Sequence, residues 1–108
     1  MSVQEINDPD LLNHVGSYKQ VILKYHSDLC GEECREIMAM FQRLSDQREY
    51  KDIVFLRINS ENNPTAKKFL EGKKTCIVSI YSKGRLLDSC YAPTRVLVEE
   101  LLEKLQGG

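Results

Sequence analysis

Cys30 and Cys34 are the residues of this sequence best suited to chemistry, and they frame the segment Cys-Gly-Glu-Glu-Cys. A thiolate is the nucleophile of disulfide exchange, and a second thiol close by can release the substrate by forming a disulfide with the first. We expect Cys30 to lie just before a helix, where unpaired backbone N–H groups and the helix dipole stabilise a thiolate. Gly31 allows a tight turn beside that sulfur.

The spacing of the two cysteines and the residues between them qualify this interpretation. Residues four apart in a regular helix have Cβ atoms about 5–6 Å apart, whereas a disulfide needs about 3.5–4.5 Å. The pair therefore closes only if Cys30 lies outside the regular helix or if the first turn is distorted. Glu32 and Glu33 suit a helix N-terminus but disfavour a neighbouring thiolate. From these residues alone, both cysteines remain open to two other roles, as small buried residues or as metal ligands.

The elements that must position these cysteines follow from the apolar pattern. Nearly continuous apolar runs predict inner strands, helical spacing predicts amphipathic helices, and Gly84 predicts a tight hairpin turn. The predicted strands cover 3–6, 21–26, 52–59, 76–81 and 85–91, and the helices begin near residues 9, 32, 62 and 93, the second ending near residue 48. The order β-α-β-α-β-α-β-β-α favours crossovers between the first three strands. The expected fold is α/β, with a mixed central sheet and helices on both faces.

Composition limits the function classes further. The 108 residues suit one domain, 1–108. A net charge of −1 gives no electrostatic reason to expect nucleic acid or an anionic membrane as partner, and no apolar run is long enough to span a bilayer. Four cysteines are too few for a disulfide scaffold. Because the polar first ten residues lack a signal pattern, we predict a cytoplasmic protein, and we expect it to be a monomer.

The chain resembles the thioredoxin family nearly from end to end. The resemblance rests on the element order together with four local features: the strand 21–25 that leads to Cys30-Gly31-x-x-Cys34, Asn59, the later Asn63-Pro64, and the turn Tyr81-x-Lys83-Gly84. It implies a three-layer sandwich and a thiol–disulfide oxidoreductase of the protein-disulfide reductase type. It also implies that Cys30 attacks a protein or small-molecule disulfide and that Cys34 resolves the mixed disulfide. A thiol reductant or a reductase would supply electrons, without a cofactor.

The sequence departs from the family pattern around the cysteines. Leu29 stands for a tryptophan, three residues instead of two separate the cysteines, and the positions of a buried carboxylate, an aromatic residue and a cis-proline are taken by Lys24, His26 and Cys76. A cis bond after Thr75 would cost about 3–4 kcal/mol without proline, so we expect a trans bond there. Lys24 either extends to the surface or lies near the thiols, where its charge would favour a thiolate.

Cys76 opens further alternatives. The resemblance places its sulfur against the cysteine pair, at the substrate groove beside Thr75, so that three thiols could exchange disulfides or gather a soft metal. A metal or iron–sulfur module built from Cys30, Cys34 and Cys76 is therefore one alternative function, and a non-catalytic interaction module on the same fold is another. We expect the neighbours of the thiols to tune them, namely Lys24, His26, Gly31, Glu32 and Glu33. Cys90 is expected to be structural or a surface thiol open to oxidation.

Overall fold

The structure is a computed structural model that describes residues 3–7, 15–26, 32–59, 68, 77–91 and 94–107, with the backbone alone at 32–34 and 91. These described residues form five strands: β1 (Gln4–Ile6), β2 (Gln20–His26), β3 (Val54–Asn59), β4 (Ile77–Ser82) and β5 (Arg85–Tyr91). The helices are α1 (Glu32–Ser45) and α2 (Arg95–Gly107), with a 3₁₀-helix at Arg48–Tyr50. Residues 15–17 are helical as well. The helix predicted from residue 62 lies outside the described residues, apart from the helical Lys68.

The five strands form one mixed sheet in the order β1-β3-β2-β4-β5. β3 runs parallel to both β1 and β2, whereas β4 runs antiparallel to β2 and to β5. β2 is the central strand, and its residues from Val21 to Tyr25 are all buried. A strand covered on both faces has little need of polar alternation, which explains the apolar run in the sequence. The predicted mixed α/β sheet is confirmed.

Two buried clusters cover the two faces of the sheet. The helix-side cluster joins strand residues Ile22, Phe55, Val78 and Ile80 to Met40, Phe41 and Leu44 of α1 and to Val98, Leu101, Leu102 and Leu105 of α2. The rings of Phe41 and Phe55 meet edge to face, with centroids 5.1 Å apart. The opposite cluster contains Ile6, Val15, Val21, Leu23, Tyr25, Leu56, Ile58 and Ile77. Both faces of the sheet therefore contribute to a buried core.

The ends of α1 and β3 differ from the prediction. α1 stops at Ser45 rather than near Arg48, because the Ser45 hydroxyl donates back to the carbonyl of Gln42 at 2.6 Å and the chain tightens into the 3₁₀-helix that buries Tyr50. The N–H of Ile53 then donates to the carbonyl of Tyr50 at 3.0 Å. This turn delays the start of β3 to Val54.

The C-terminal half follows its turn and cap signals. Lys83 and Gly84 have φ angles of 52° and 83°, the two positive values that a type I′ hairpin turn requires. Thr94 caps α2 by accepting the N–H of Leu97 at 3.3 Å through its hydroxyl. Leu97 itself is 37% exposed, whereas Val98, Leu101, Leu102 and Leu105 of α2 are buried.

Candidate active site

One edge of the sheet gathers the elements that carry the predicted site. The last residues of β2 and β3 are paired, His26 with Asn59, and the first residue of β4, Ile77, pairs with Tyr25. α1 begins at Glu32, six positions after His26. The carboxyl ends of two parallel strands, the start of β4 and the N-terminus of α1 therefore belong to one end of the fold, where α/β proteins bind their ligands.

The structure describes some of the predicted site residues and not others. Cys30, Gly31, Thr75 and Cys76 lie outside the described residues, as does the peptide bond expected to be trans. The backbone of Glu32, Glu33 and Cys34 forms the first three positions of α1. The prediction that a helix begins two residues after Cys30 is confirmed. The distance between the two sulfurs and their roles in exchange stay predictions.

Lys24 is buried in the centre of the sheet. Only 1% of its surface is exposed, so the alternative in which it reaches the surface is wrong. Side chains alternate along a strand, which places Lys24 with Ile22 on the face that α1 and α2 cover. Burial, with a smaller contribution from the positive charge of Arg57, lowers the pKa of Lys24 from 10.5 to about 8. A largely charged lysine therefore lies inside the fold at neutral pH.

Arg57 is the cross-strand neighbour of Lys24 in the pairing of β2 with β3. Its Nε lies 2.9 Å from the Glu5 carboxylate on β1, and both of these side chains are partly exposed. Glu5, Arg57 and Lys24 thus form a row across three strands, in which the single carboxylate pairs with the outer cation. Arg57 was not among the predicted site residues, although it interrupts the apolar run of β3 just as Lys24 interrupts that of β2.

His26 ends β2 and is half-buried. It lies two residues beyond Lys24 and hence on the same face of the sheet, with Asn59 opposite it on β3. The structure therefore places two of the predicted tuning residues, Lys24 and His26, on the face of the sheet that α1 and α2 cover. Their effect on the thiols is a prediction.

The other predicted roles involve metal and Cys90. Within the described part of the chain, no group of three or more His, Cys, Asp or Glu side chains is arranged to hold a metal. The proposed set Cys30, Cys34 and Cys76 is not covered by that observation. Cys90 lies on β5, packs against the helix-side cluster and forms no disulfide with a described residue. Burial, together with the charges of Asp88 and Glu100, raises the pKa of the Cys90 thiol.

Neither described helix has the length and apolarity needed to cross a bilayer. No protein-family model matches the sequence, and no curated protein matches it. Similarity appears at the level of solved structures.

One similar structure comes from a study of the thiol-resolving mechanism in yeast mitochondrial 1-Cys peroxiredoxin via glutathione/thioredoxin systems; it is 15% identical, has a TM-score of 0.82, and the match covers 96% of each chain. Plasmodium falciparum thioredoxin is 17% identical with a TM-score of 0.80, over 94% of this chain and 98% of that one. Thioredoxin F from spinach chloroplast (short form) is 24% identical with a TM-score of 0.76, over 98% of this chain and 92% of that one. This chain has the thioredoxin fold.

Proposed function

We propose that this protein is a thiol–disulfide oxidoreductase in which Cys30 is the attacking thiol and Cys34 the resolving thiol. The observation that supports this proposal best is the start of α1 at Glu32, directly after the central strand and the segment that contains Cys30. A sulfur at such a position faces the positive end of a helix dipole, which favours its thiolate form. The thioredoxin fold of the chain is consistent with this use.

The reaction consists of two exchanges. The Cys30 thiolate attacks one sulfur of a substrate disulfide, the substrate S–S bond breaks, and the departing sulfur leaves as a thiolate that takes a proton from solvent. Cys34 then gives up its proton and attacks the sulfur of Cys30, which releases the second substrate thiol. The substrate gains two electrons and two protons, and the protein is left with a Cys30–Cys34 disulfide.

The chemistry of the site suggests its partners. Disulfide-containing proteins are the proposed substrates, and a reductase or a thiol reductant returns the pair to the dithiol form without an organic cofactor. The proposed location is the cytoplasm, where glutathione and thioredoxin systems keep thiols reduced. Two of the similar structures described above are named with other compartments, mitochondria and the chloroplast, so fractionation of cells that express the protein is the direct test of location.

Mass spectrometry can identify directly which cysteines form a disulfide. Cys90→Ser protein, equilibrated in glutathione buffers of graded ratio, is acid-quenched, alkylated and digested, and its peptides are analysed by mass spectrometry. We expect a Cys30–Cys34 disulfide that disappears in one two-electron transition as the buffer becomes more reducing. Cys30→Ser protein is the matched control and should show no such transition. If the Cys30–Cys34 bond never forms, the proposed mechanism is wrong, and a bond to Cys76 would assign that residue as the third thiol.

A further inference from the structure

A groove of about 260 Å³ lies between the edge strand β5 and helix α2. The described residues that line it come from both elements: Asp88, Ser89 and Cys90 from β5, and Leu97, Glu100, Leu101 and Lys104 from α2. Pockets for small ligands and cofactors measure about 300–1,000 Å³. The smaller volume of this groove suits a pair of side chains from another molecule better than a cofactor.

Three of the lining residues are apolar. Leu101 is buried and Leu97 is partly exposed, whereas Cys90 is half-buried and packs against the helix-side cluster. Val96, next to Leu97 at the start of α2, and Leu87, next to Asp88 on β5, are exposed as well. Large apolar side chains exposed on two neighbouring elements are typical of a surface that another molecule covers.

The charges of the groove do not cancel. The carboxylate of Asp88 accepts the N–H of Ser89 at 2.8 Å through Oδ1 and the ammonium of Lys104 at 3.1 Å through Oδ2. Glu100 forms no ion pair with a described residue. After burial, the negative charges of Asp88 and Glu100 are the causes that raise the pKa of the Cys90 thiol. The groove therefore carries a net negative charge, and the carboxylate of Glu100 is available to a cation.

The edge of β5 beside the groove is poorly suited to pairing with the backbone of another chain. β5 has β4 as its one partner in the described sheet, but a register shift leaves Leu87 without an opposite residue on β4. The Asp88 carboxylate also holds the N–H of Ser89. Bulges and charged side chains on an edge strand discourage the addition of a further strand. Recognition at this groove must therefore rely on side chains.

We propose that the groove between β5 and α2 docks a segment of a partner protein that combines an apolar side chain with a lysine or an arginine. The apolar side chain packs against Leu97 and Cys90, and the cation pairs with Glu100. An acidic segment would meet charge of its own sign, which disfavours it. This inference goes beyond the proposed function and does not depend on the chemistry of Cys30 and Cys34.

The test uses blocked tripeptides as probes of the reduced full chain. Acetyl-Lys-Leu-Lys-amide is titrated into ¹⁵N-labelled protein at low salt, and amide shifts are followed by NMR. Acetyl-Glu-Leu-Glu-amide reverses the charge of the probe, and acetyl-Lys-Ser-Lys-amide removes its apolar side chain. We expect the first peptide to shift the amides of Cys90, Leu97 and Glu100 saturably, and the other two to leave them unshifted at the same concentrations.

Three variants test which residues bind the peptide. Glu100→Gln should weaken binding of acetyl-Lys-Leu-Lys-amide by about two- to fivefold, the effect of one exposed ion pair. Glu103→Gln is the matched control, because Glu103 is an exposed residue of α2 outside the described lining, and it should leave binding unchanged. Leu97→Ala should weaken binding by about three- to sixfold, since only the exposed part of this side chain remains to be covered.

Equal binding of the acidic peptide, or an equal loss in Glu103→Gln and Glu100→Gln, overturns the inference. Shifts of the same amides with rising protein concentration and no peptide, together with sedimentation as a dimer, would also overturn it and assign the groove to a second copy of this chain. None of these measurements involves disulfide exchange, so failure of the proposed function and failure of this inference are read separately.

Discussion

Lys24 and Arg57 are directly opposed in the parallel pairing of β2 and β3, so two cationic side chains lie side by side on the face of the sheet that α1 covers. Only Arg57 has a carboxylate partner among the described residues, Glu5 on β1. The row runs from a partly exposed ion pair to a buried lysine, and it ends at the strand that leads to Cys30. The charge pattern of the sheet thus bears on the stability of the fold and on the chemistry proposed for its edge.

Replacement of Lys24 by methionine should stabilise the protein at neutral pH. The pKa of Lys24 falls from 10.5 to about 8 on folding, a difference of about 3 kcal/mol. Because the folded state binds this proton more weakly, the lysine is destabilising at pH values below 8, and that cost is relieved as the pH rises from about 8 to 10.5. We expect Lys24→Met to raise the free energy of unfolding by about 3 kcal/mol at pH 7 and by progressively less towards pH 10.5.

Urea denaturation of the parent and of Lys24→Met at pH 7 and pH 10 checks this prediction. At each pH the difference in the free energy of unfolding between the two proteins cancels the contribution of the other titrating groups. The exposed Lys19→Met is the control, and its effect should be small at both pH values. A Lys24→Met protein that is less stable than the parent at pH 7 would show that the ammonium has a stabilising partner.

The Cys90 thiol should react with an alkylating reagent more slowly than the Cys30 thiol. Burial and the negative charges of Asp88 and Glu100 raise its pKa, and a thiol reacts through its thiolate. At pH 7 we expect iodoacetamide to modify Cys30 several-fold faster than Cys90 in fully reduced protein, as measured by mass spectrometry of the two peptides over time. Faster modification of Cys90 would remove the basis for treating it as separate from the site.

Cys90→Ser should also leave the glutathione midpoint of the Cys30–Cys34 pair within about twofold of the value for the unmodified chain, because the nearest charges to Cys90 lie on β5 and α2. A larger shift would mean that this cysteine takes part in exchange.

The hairpin turn offers a stability prediction independent of the site. Lys83 has a φ of 52°, a left-handed conformation that costs an ordinary residue about 1–2 kcal/mol and that asparagine tolerates. The N–H of Lys83 donates to the carbonyl of Lys19 at 2.8 Å, and asparagine keeps this donor. We expect Lys83→Asn to raise the free energy of unfolding by up to about 1 kcal/mol, whereas Lys83→Val should lower it. Thermal or urea unfolding of the two variants and the parent measures these changes. A Lys83→Val protein more stable than Lys83→Asn would contradict the turn assignment.

The sequence predicts most of the fold because its local signals agree with the packing. The start of β5 at Arg85 follows from the turn at Gly84, whose positive φ suits a two-residue hairpin turn. The end of α1 was missed because the hydroxyl of Ser45 competes for a backbone carbonyl, and apolar spacing does not report such a bond. Apolar spacing also does not fix how deeply a helical residue is buried, because that depth depends on the elements packed against the helix. Met40 is buried, for example, whereas Leu97 is partly exposed.

The site was predictable to a smaller extent. The position of Cys30 before a helix follows from the chain order, and the start of α1 at Glu32 agrees with it. The apolar run predicts that β2 is an inner strand, which the sheet order confirms. The burial of Lys24 could not be derived from that, because a lysine in an apolar strand can extend along the surface to solvent and its depth depends on the helices packed over that face. The importance of Arg57 follows only from the register that sets it opposite Lys24.

The assignment of Cys30 as the attacking thiol is tested by trapping the first covalent intermediate. Cys34→Ser protein in the Cys90→Ser background is incubated with oxidised glutathione, and its intact mass and peptides are measured without a reductant. The proposed mechanism predicts one glutathionyl group per chain, joined to Cys30, and none on a Cys30→Ser, Cys34→Ser, Cys90→Ser control. Unmodified Cys30, or modification of Cys76 in its place, would contradict the assignment of Cys30 as the attacking thiol.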